Sequence, residues 1–192
     1  MQGKNQKIIM DDKKLNQTIN RIVDEILEKT DDLDKLVIIG LQTRGVFLAK
    51  RIIKKIKKLE NTKIPLGIID ISLYRDDFYE NPTDLSLKET DLPFNVDDKN
   101  VILIDDVLYT GRSVRAAMEC IMDFGRPKSI KLAVLIDRGN RELPIQPDIF
   151  GKNFVTRKNI EIISVKLKEV DDFDSVFLIN KGEFDVKSKR FN

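Results

Sequence analysis

Short apolar runs alternate with longer amphipathic stretches along most of the chain. Apolar runs rich in β-branched residues indicate strands buried on both faces of a sheet. Runs of this kind lie at 36–40, 66–74, 101–104, 129–137, 160–167 and 175–179. Apolar residues spaced as on one face of a helix occur at about 12–29, 46–57 and 113–124. Strands and helices that alternate in this way predict an α/β fold with a central, mostly parallel sheet flanked by helices.

The stretch VILIDDVLYTGRS at 101–113 carries the clearest chemical signal. Its strand is expected to end at Asp105 and Asp106, because unpaired carboxylates are costly to bury. The two acids would then emerge at the carboxyl end of the sheet, where open α/β folds bind ligands. The loop at 110–113 follows with two hydroxyls and a glycine, immediately before a helix whose first N–H groups favour a phosphate.

A carboxylate pair beside a phosphate loop suggests a sugar phosphate as ligand. Carboxylates accept hydrogen bonds from hydroxyl groups, so the two acids could hold the diol of a ribose 5-phosphate. The alternative is a structural turn in which the acids are solvated and Ser113 only caps the helix. A second strand-to-helix loop, at Thr43, Arg44 and Gly45, would reach the same edge of the sheet and could hold a second phosphate group.

Composition removes several classes of function. The 192 residues contain no histidine, which excludes a histidine general base, a Ser/His or Cys/His nucleophile and histidine-ligated zinc. A single cysteine, Cys120, excludes a disulfide framework. Charged residues make up 34% of the chain but nearly cancel at a net charge of +2, so any nucleic-acid surface must be local. There is no apolar run of membrane-spanning length and no signal-peptide pattern, so we expect a cytoplasmic protein.

The motif at 101–113 resembles the phosphoribosyl pyrophosphate (PRPP) signature of type I phosphoribosyltransferases. Further stretches are similar to the PyrR family, the pyrimidine-operon attenuators with uracil phosphoribosyltransferase activity. These stretches are GLQTRG at 40–45, DISLYRDD at 70–77, FGRPKSIKLAVLIDRGNRELPI at 124–145 and GKN at 151–153. The resemblance implies the type I phosphoribosyltransferase fold, with a small hood and a mobile lid loop at 75–93. We expect a single domain over 1–180 and a frayed tail at 181–192.

The resemblance also implies roles for individual residues. Asp105 and Asp106 would hold the ribose hydroxyls, and Arg44 and Arg75 would meet the departing pyrophosphate; these four are the predicted catalytic residues. Arg138 would belong to the hood over the base. Mg²⁺ is the implied cofactor, held mainly by PRPP close to the acid pair, without dedicated protein ligands. The predicted nucleotide-binding set is Thr43, Arg44, Gly45, Asp105, Asp106, Val107, Leu108, Tyr109, Thr110, Gly111, Arg112 and Ser113.

The predicted reaction converts uracil and PRPP to uridine 5′-monophosphate (UMP) and pyrophosphate. Purine-specific members of the superfamily often carry an acid immediately before the Thr-Gly pair, where it can bond the purine N7. This chain has Tyr109 there, which favours a pyrimidine. A purine phosphoribosyltransferase and a nucleotide-sensing attenuator with little catalysis stay open as alternatives. The family further implies a homo-oligomer, a dimer or a higher assembly.

Pyrimidine-operon messenger RNA is a further partner that the family implies. Arg21 on the first helix, Arg141 and Lys152 are the candidate RNA contacts. Three residues after Arg21 the family pattern has histidine, whereas this chain has Asp24. Because a carboxylate repels phosphates, a solvated helix face is the alternative interpretation of this surface.

Overall fold

The computed structural model describes residues 6–71, 90–158 and 160–180. Arg75, most of the predicted lid and the tail at 181–192 lie outside these ranges. The strands are β1 (Gln6–Met10), β2 (Leu36–Leu41), β3 (Leu66–Ile69), β4 (Asn100–Leu108), β5 (Ser129–Asp137), β6 (Ile149–Asn153), β7 (Glu161–Lys166) and β8 (Ser175–Asn180). The helices are α1 (Asp12–Glu28), α2 (Arg44–Glu60), α3 (Arg112–Asp123) and the short α4 (Lys168–Asp171).

A central sheet has the strand order β3-β2-β4-β5-β6, and its strand pairs are parallel. Its strands are apolar on both sides because helices cover both faces. On one face α1 and α2 pack against Ile38 and Ile102, and on the other α3 packs against Ile39 and Leu103. The alternation follows the two-residue period of a strand. The predicted α/β fold is confirmed.

The first helix forms as its sequence predicts. The Asp11 carboxylate accepts a hydrogen bond from the backbone N–H of Lys14 at 2.8 Å and so caps α1. The predicted apolar stripe is buried in the core; it consists of Leu15, Ile19, Ile22 and Ile26. None of the helices in the described ranges combines the length and apolarity needed to cross a lipid bilayer.

The prediction that the strand ends at the two acids was wrong. β4 continues through Asp105 and Asp106 to Leu108, because β5 pairs with this extension as far as Asp137. The backbone therefore keeps its ladder of hydrogen bonds while the two acidic side chains stay partly exposed. As a result, the acids stand on a rigid strand and not on a turn.

Two further strand predictions were wrong for reasons of pairing. The segment 149–153, which lies outside all the predicted strands, forms β6 because it adds a parallel edge to β5. The strand predicted at 66–74 ends at Ile69, where its register partner Leu41 is also the last residue of β2. Strand length here depends on the neighbouring strand, which the local sequence does not contain.

A second, smaller sheet lies outside the central one, and we call this sheet, together with α4, the hood. It is antiparallel, has the order β1-β8-β7, and joins β1 near the start of the described chain to β8 near its end. The short helix α4 connects β7 to β8. No local pattern in the sequence predicts β1, because this five-residue strand pairs with residues about 170 positions later.

Candidate active site

The first turn of α2 lies directly against β4, the strand that carries Asp105 and Asp106. A Cβ added to Gly45 would lie 2.5 Å from the carbonyl oxygen of Ile104 and 3.3 Å from Cα of Asp105. Pairing between β2 and β4 stops at Gly40 and Ile104. β4 therefore extends beyond the end of β2, and this extension places both acids beside the first turn of α2. The preceding Gln42–Thr43 peptide bond is cis.

The two acids on the β4 extension are half-buried and interact with each other. Asp105 Oδ1 accepts a hydrogen bond from the backbone N–H of Asp106 at 2.8 Å, and Asp106 Oδ1 accepts one from Val107 at 3.0 Å. Burial and the negative charge of Asp106 raise the pKa of Asp105 well above its usual range. Burial also raises the pKa of Asp106, although Asp105 and the Arg44 guanidinium oppose that rise. The carboxylate oxygens of the pair can accept hydrogen bonds from the hydroxyl groups of a ligand.

The loop after β4 contains a glycine with positive φ and is held by hydrogen bonds from the segment before β6. Gly111 has φ +92°, the left-handed conformation, directly before α3. The backbone N–H groups of Glu142 and Leu143 donate to the carbonyl oxygen of Thr110 at 2.9 and 3.2 Å. Arg112 Nε donates to the Glu142 carboxylate at 2.8 Å. The loop is thus fixed ahead of the first turn of α3, as a phosphate site requires.

Tyr109 and Arg138 meet next to this loop. The guanidinium carbon of Arg138 lies 3.8 Å from the centre of the Tyr109 ring, a stacked cation–π arrangement. Arg138 is almost fully buried; its Nε donates to Thr156 Oγ1 at 2.7 Å, and its Nη2 donates to the carbonyl oxygen of Glu161 in β7. Burial lowers the pKa of Arg138. Arg138 therefore connects the edge of the central sheet to the hood.

Arg44, in the first turn of α2, is held by a residue that the sequence analysis missed. Its Nη2 donates to both carboxylate oxygens of Asp171 at 3.0 Å. Asp171 also accepts from Lys166 Nζ at 2.9 Å and from the backbone N–H of Leu167 at 3.0 Å. Burial favours a higher pKa for Asp171, but these donors outweigh it and lower the pKa to about 2. The segment KEVDDFD holds several acids, and its sequence gives no signal as to which one contacts α2.

Most of the residues that are predicted to bind the nucleotide lie at this edge of the sheet, but the side chains of two of them belong to the core. Leu108 is 1% exposed and Val107 packs against the core, so their side chains build the strand and do not face a ligand. Arg75 lies outside the described residues, so its predicted role stays a prediction.

The acid pair has the chemistry to bind a Mg²⁺ ion that is held mainly by a phosphorylated substrate. No group of three or more His, Cys, Asp or Glu side chains within 6–71, 90–158 and 160–180 could hold a metal ion. Mg²⁺ is usually bound through one or two carboxylates together with substrate phosphates and water. Asp105 and Asp106 supply that number of carboxylates, so they fit a Mg²⁺ ion held mainly by a phosphorylated ligand.

The three candidate RNA contacts are placed differently. Arg21 is exposed on α1 and donates to the carbonyl oxygen of Phe150 at 3.4 Å, next to the strand that carries Lys152. Asp24 is exposed on the same helix. Arg141 instead points into the protein, where it donates to the Asp137 carboxylate and to the carbonyl oxygens of Tyr109, Gly139 and Ile145. These bonds count against an RNA contact by Arg141.

Known proteins are similar to this chain in sequence. Residues 5–169 match the family model of the phosphoribosyl transferase domain. The chain is 54% identical to the bifunctional protein PyrR of Clostridioides difficile, over 88% of this chain and 94% of that relative. It is 51% identical to the bifunctional protein PyrR of Clostridium beijerinckii, over 91% and 97%.

Solved structures of phosphoribosyltransferases have a similar fold. A hypoxanthine phosphoribosyltransferase of Staphylococcus aureus gives a TM-score of 0.69 at 17% identity, over 92% of both chains. The Trypanosoma cruzi hypoxanthine phosphoribosyl transferase gives 0.70 at 15% identity, over 98% of both chains. At this level of identity the likeness concerns the fold and not the base that is bound.

Substituting Gly45→Ala tests the close approach of α2 to β4. Alanine in place of glycine ordinarily favours a helix by about 1 kcal/mol. Here its Cβ would collide with the Ile104 carbonyl, and overpacking typically costs roughly 1–3 kcal/mol. We therefore expect a net loss in the free energy of unfolding, measured by urea denaturation. Lys54→Ala on the exposed face of α2 is the control, and a G45A protein as stable as the parent would contradict the packing.

The low pKa of Asp171 predicts a pH-dependent contribution to stability. A carboxylate whose pKa falls from 3.8 to about 2 on folding stabilises the native state above pH 4. That contribution is lost as the pH falls towards 2. Asp171→Asn should therefore be less stable than the parent at pH 7, with a difference that shrinks between pH 4 and pH 2. Urea denaturation across this range checks it; a difference independent of pH would show that the carboxylate charge is not responsible.

Proposed function

The chain belongs to the PyrR family of phosphoribosyltransferases, and from this premise we propose that it converts uracil and PRPP to UMP and pyrophosphate. The observation that carries the proposal is the convergence of three groups at one edge of the sheet. These are the acid pair of β4, the loop that precedes α3, and Arg44 at the start of α2. Together they match the diol, the 5′-phosphate and the pyrophosphate of PRPP in kind and number.

The residues act mainly through position and charge. The bond between the anomeric carbon and pyrophosphate breaks while uracil N1 bonds to that carbon from the opposite face. The N1–H bond also breaks, and its proton passes to the departing pyrophosphate or to water. Positive charge develops on the ribose ring, and the acid pair, bound to the ribose hydroxyls, would stabilise it. Arg44 and the first N–H groups of α2 stabilise the negative charge that leaves with pyrophosphate. Arg75, at the start of the predicted lid, would add positive charge next to the departing pyrophosphate.

Asp105 and Asp106 would hold Mg²⁺ together with PRPP, and the ion would neutralise charge on the pyrophosphate oxygens. The protein's own contribution is to orient the ribose. The carboxylate oxygens of the pair accept hydrogen bonds from the 2′ and 3′ hydroxyls.

A pyrimidine fits the surroundings of Tyr109. Residue 109 is a tyrosine and carries no carboxylate that could bond a purine N7. Its ring is covered by Arg138, which is fixed by Thr156 and the backbone of β7. Two relatives named bifunctional protein PyrR support the same choice through their high identity. The purine-specific structural neighbours bear on the fold alone.

A second role, binding of pyrimidine-operon messenger RNA, is proposed for the surface that joins α1 and β6. Arg21 of α1 bonds to the backbone of β6, so Arg21 and Lys152 belong to adjoining elements. The word bifunctional in the names of the relatives favours this role. Asp24 lies exposed on the same helix and would weaken phosphate binding.

We further propose that residues 1–180 act as one domain, since β1 pairs with β8 across almost the whole chain. UMP synthesis and regulation of messenger RNA both imply a cytoplasmic location. The family also supports a homo-oligomer, which light scattering would establish.

PRPP-dependent UMP formation tests the catalytic proposal. The parent should form UMP from uracil and PRPP with Mg²⁺. Asp106→Asn and Arg44→Ala should each lower kcat/KM by about 100-fold, because each removes a charge aimed at the reacting group. Lys54→Ala, on the outer face of α2, is the control and should be unaffected. Hypoxanthine used in preference to uracil would identify a purine enzyme, and UMP binding without turnover would identify a nucleotide sensor.

Binding to leader RNA of a pyrimidine operon tests the second role. Affinity should fall as salt rises, and Arg21→Ala and Lys152→Ala should each weaken binding and reduce the salt slope by roughly 1. Asp24→Asn should strengthen binding, since it removes a charge that repels phosphates. Arg141→Ala is expected to act through stability. Salt-independent binding, or no effect of D24N, would count against this surface.

A further inference from the structure

Helix α2 is clamped at two arginines by one acidic segment of the hood. Arg44 and Arg51 lie two helical turns apart and so point in the same direction. Arg51 pairs with Glu169 and Asp174 through four hydrogen bonds of 2.5–2.9 Å. Arg44 pairs with Asp171, in the same segment.

The two clamps differ in what they leave available. Arg51 uses Nε, Nη1 and Nη2 on its two acids, so its guanidinium is fully engaged in holding α2 to the hood. Arg44 uses only Nη2, and among the described residues Asp171 is its only hydrogen-bond partner. The Arg44 side chain is 29% exposed, against 19% for Arg51. Arg44 is thus anchored at one nitrogen but still accessible.

Asp171 is itself held rigidly. Its carboxylate accepts from Lys166 and from the backbone of Leu167, both at the end of β7, and its side chain is 11% exposed. The position of the Arg44 guanidinium is therefore set by the hood and not by α2 alone. A group fixed before its ligand arrives loses less conformational entropy on binding.

Resting on the transferase function proposed above, we propose that Asp171 is a positioning residue: it holds the Arg44 guanidinium in place to meet the pyrophosphate group of PRPP. The Arg51 clamp attaches the same segment to α2 and takes no part in binding. Asp171 contacts Arg44 and not the substrate, so its effect must pass through Arg44.

Charge and position predict opposite results when Asp171 is replaced. Removing a carboxylate near an anion site would, by charge alone, strengthen anion binding. Releasing Arg44 from a fixed geometry would weaken it. The direction of the change therefore separates the two effects.

The experiment measures binding of pyrophosphate, with Mg²⁺, and of UMP to the full chain by calorimetry. Asp171→Asn should weaken pyrophosphate binding by about tenfold and raise the KM for PRPP by a similar factor, while UMP binding stays within about twofold. Asp174→Asn, which removes one acid from the Arg51 clamp, is the matched control and should leave pyrophosphate binding within about twofold. In an Arg44→Ala background, D171N should have no further effect.

Unchanged or tighter pyrophosphate binding in D171N would overturn the proposal, as would an equal loss of UMP binding. Asp171→Glu keeps the charge and should retain most of the affinity; it provides the test if D171N is too unstable to assay. A parent that binds pyrophosphate but forms no UMP would refute the proposed reaction and leave the role of Asp171 testable by binding alone.

Discussion

The contact between the first turn of α2 and strand β4 is the constraint on which the site depends. Only a residue without a side chain fits at Gly45, because the Ile104 carbonyl lies where a Cβ would stand. This contact places Arg44 beside Asp106, close enough for the guanidinium to influence the pKa of that acid. If α2 stood further away, the acid pair and the loop at the start of α2 would be separate features and not one site.

The hood completes this arrangement from the opposite side. Its sheet joins the two ends of the described chain, and two of its features reach the edge of the central sheet: Asp171 holds Arg44, and the backbone of β7 holds Arg138. Outside the hood, the segment before β6 holds the loop at Thr110. Each contact joins a part of the predicted site to a part of the chain that is far away in sequence. The geometry of the site is therefore a property of the whole fold.

The sequence predicts the local parts of this structure well. The period of apolar residues identifies β2, β4, α1 and α3, and the order of strand, acids and glycine loop correctly predicts that a glycine loop leads from the acid-bearing strand β4 into α3. It fails where long-range pairing decides. The extension of β4 through Asp105 and Asp106 depends on β5, β6 depends on the same neighbour, and β1 depends on β8. Asp171 was missed for the same reason, because nothing near it in sequence marks the acid that contacts α2.

A crystal structure of the protein with bound UMP would show whether the acid pair and the two loops form one nucleotide site. We expect the 5′-phosphate in the loop at 110–113, the ribose hydroxyls on Asp105 and Asp106, and the uracil ring beside Tyr109 and Arg138. A nucleotide bound elsewhere, or one bound here with its ribose turned away from the acid pair, would contradict the account.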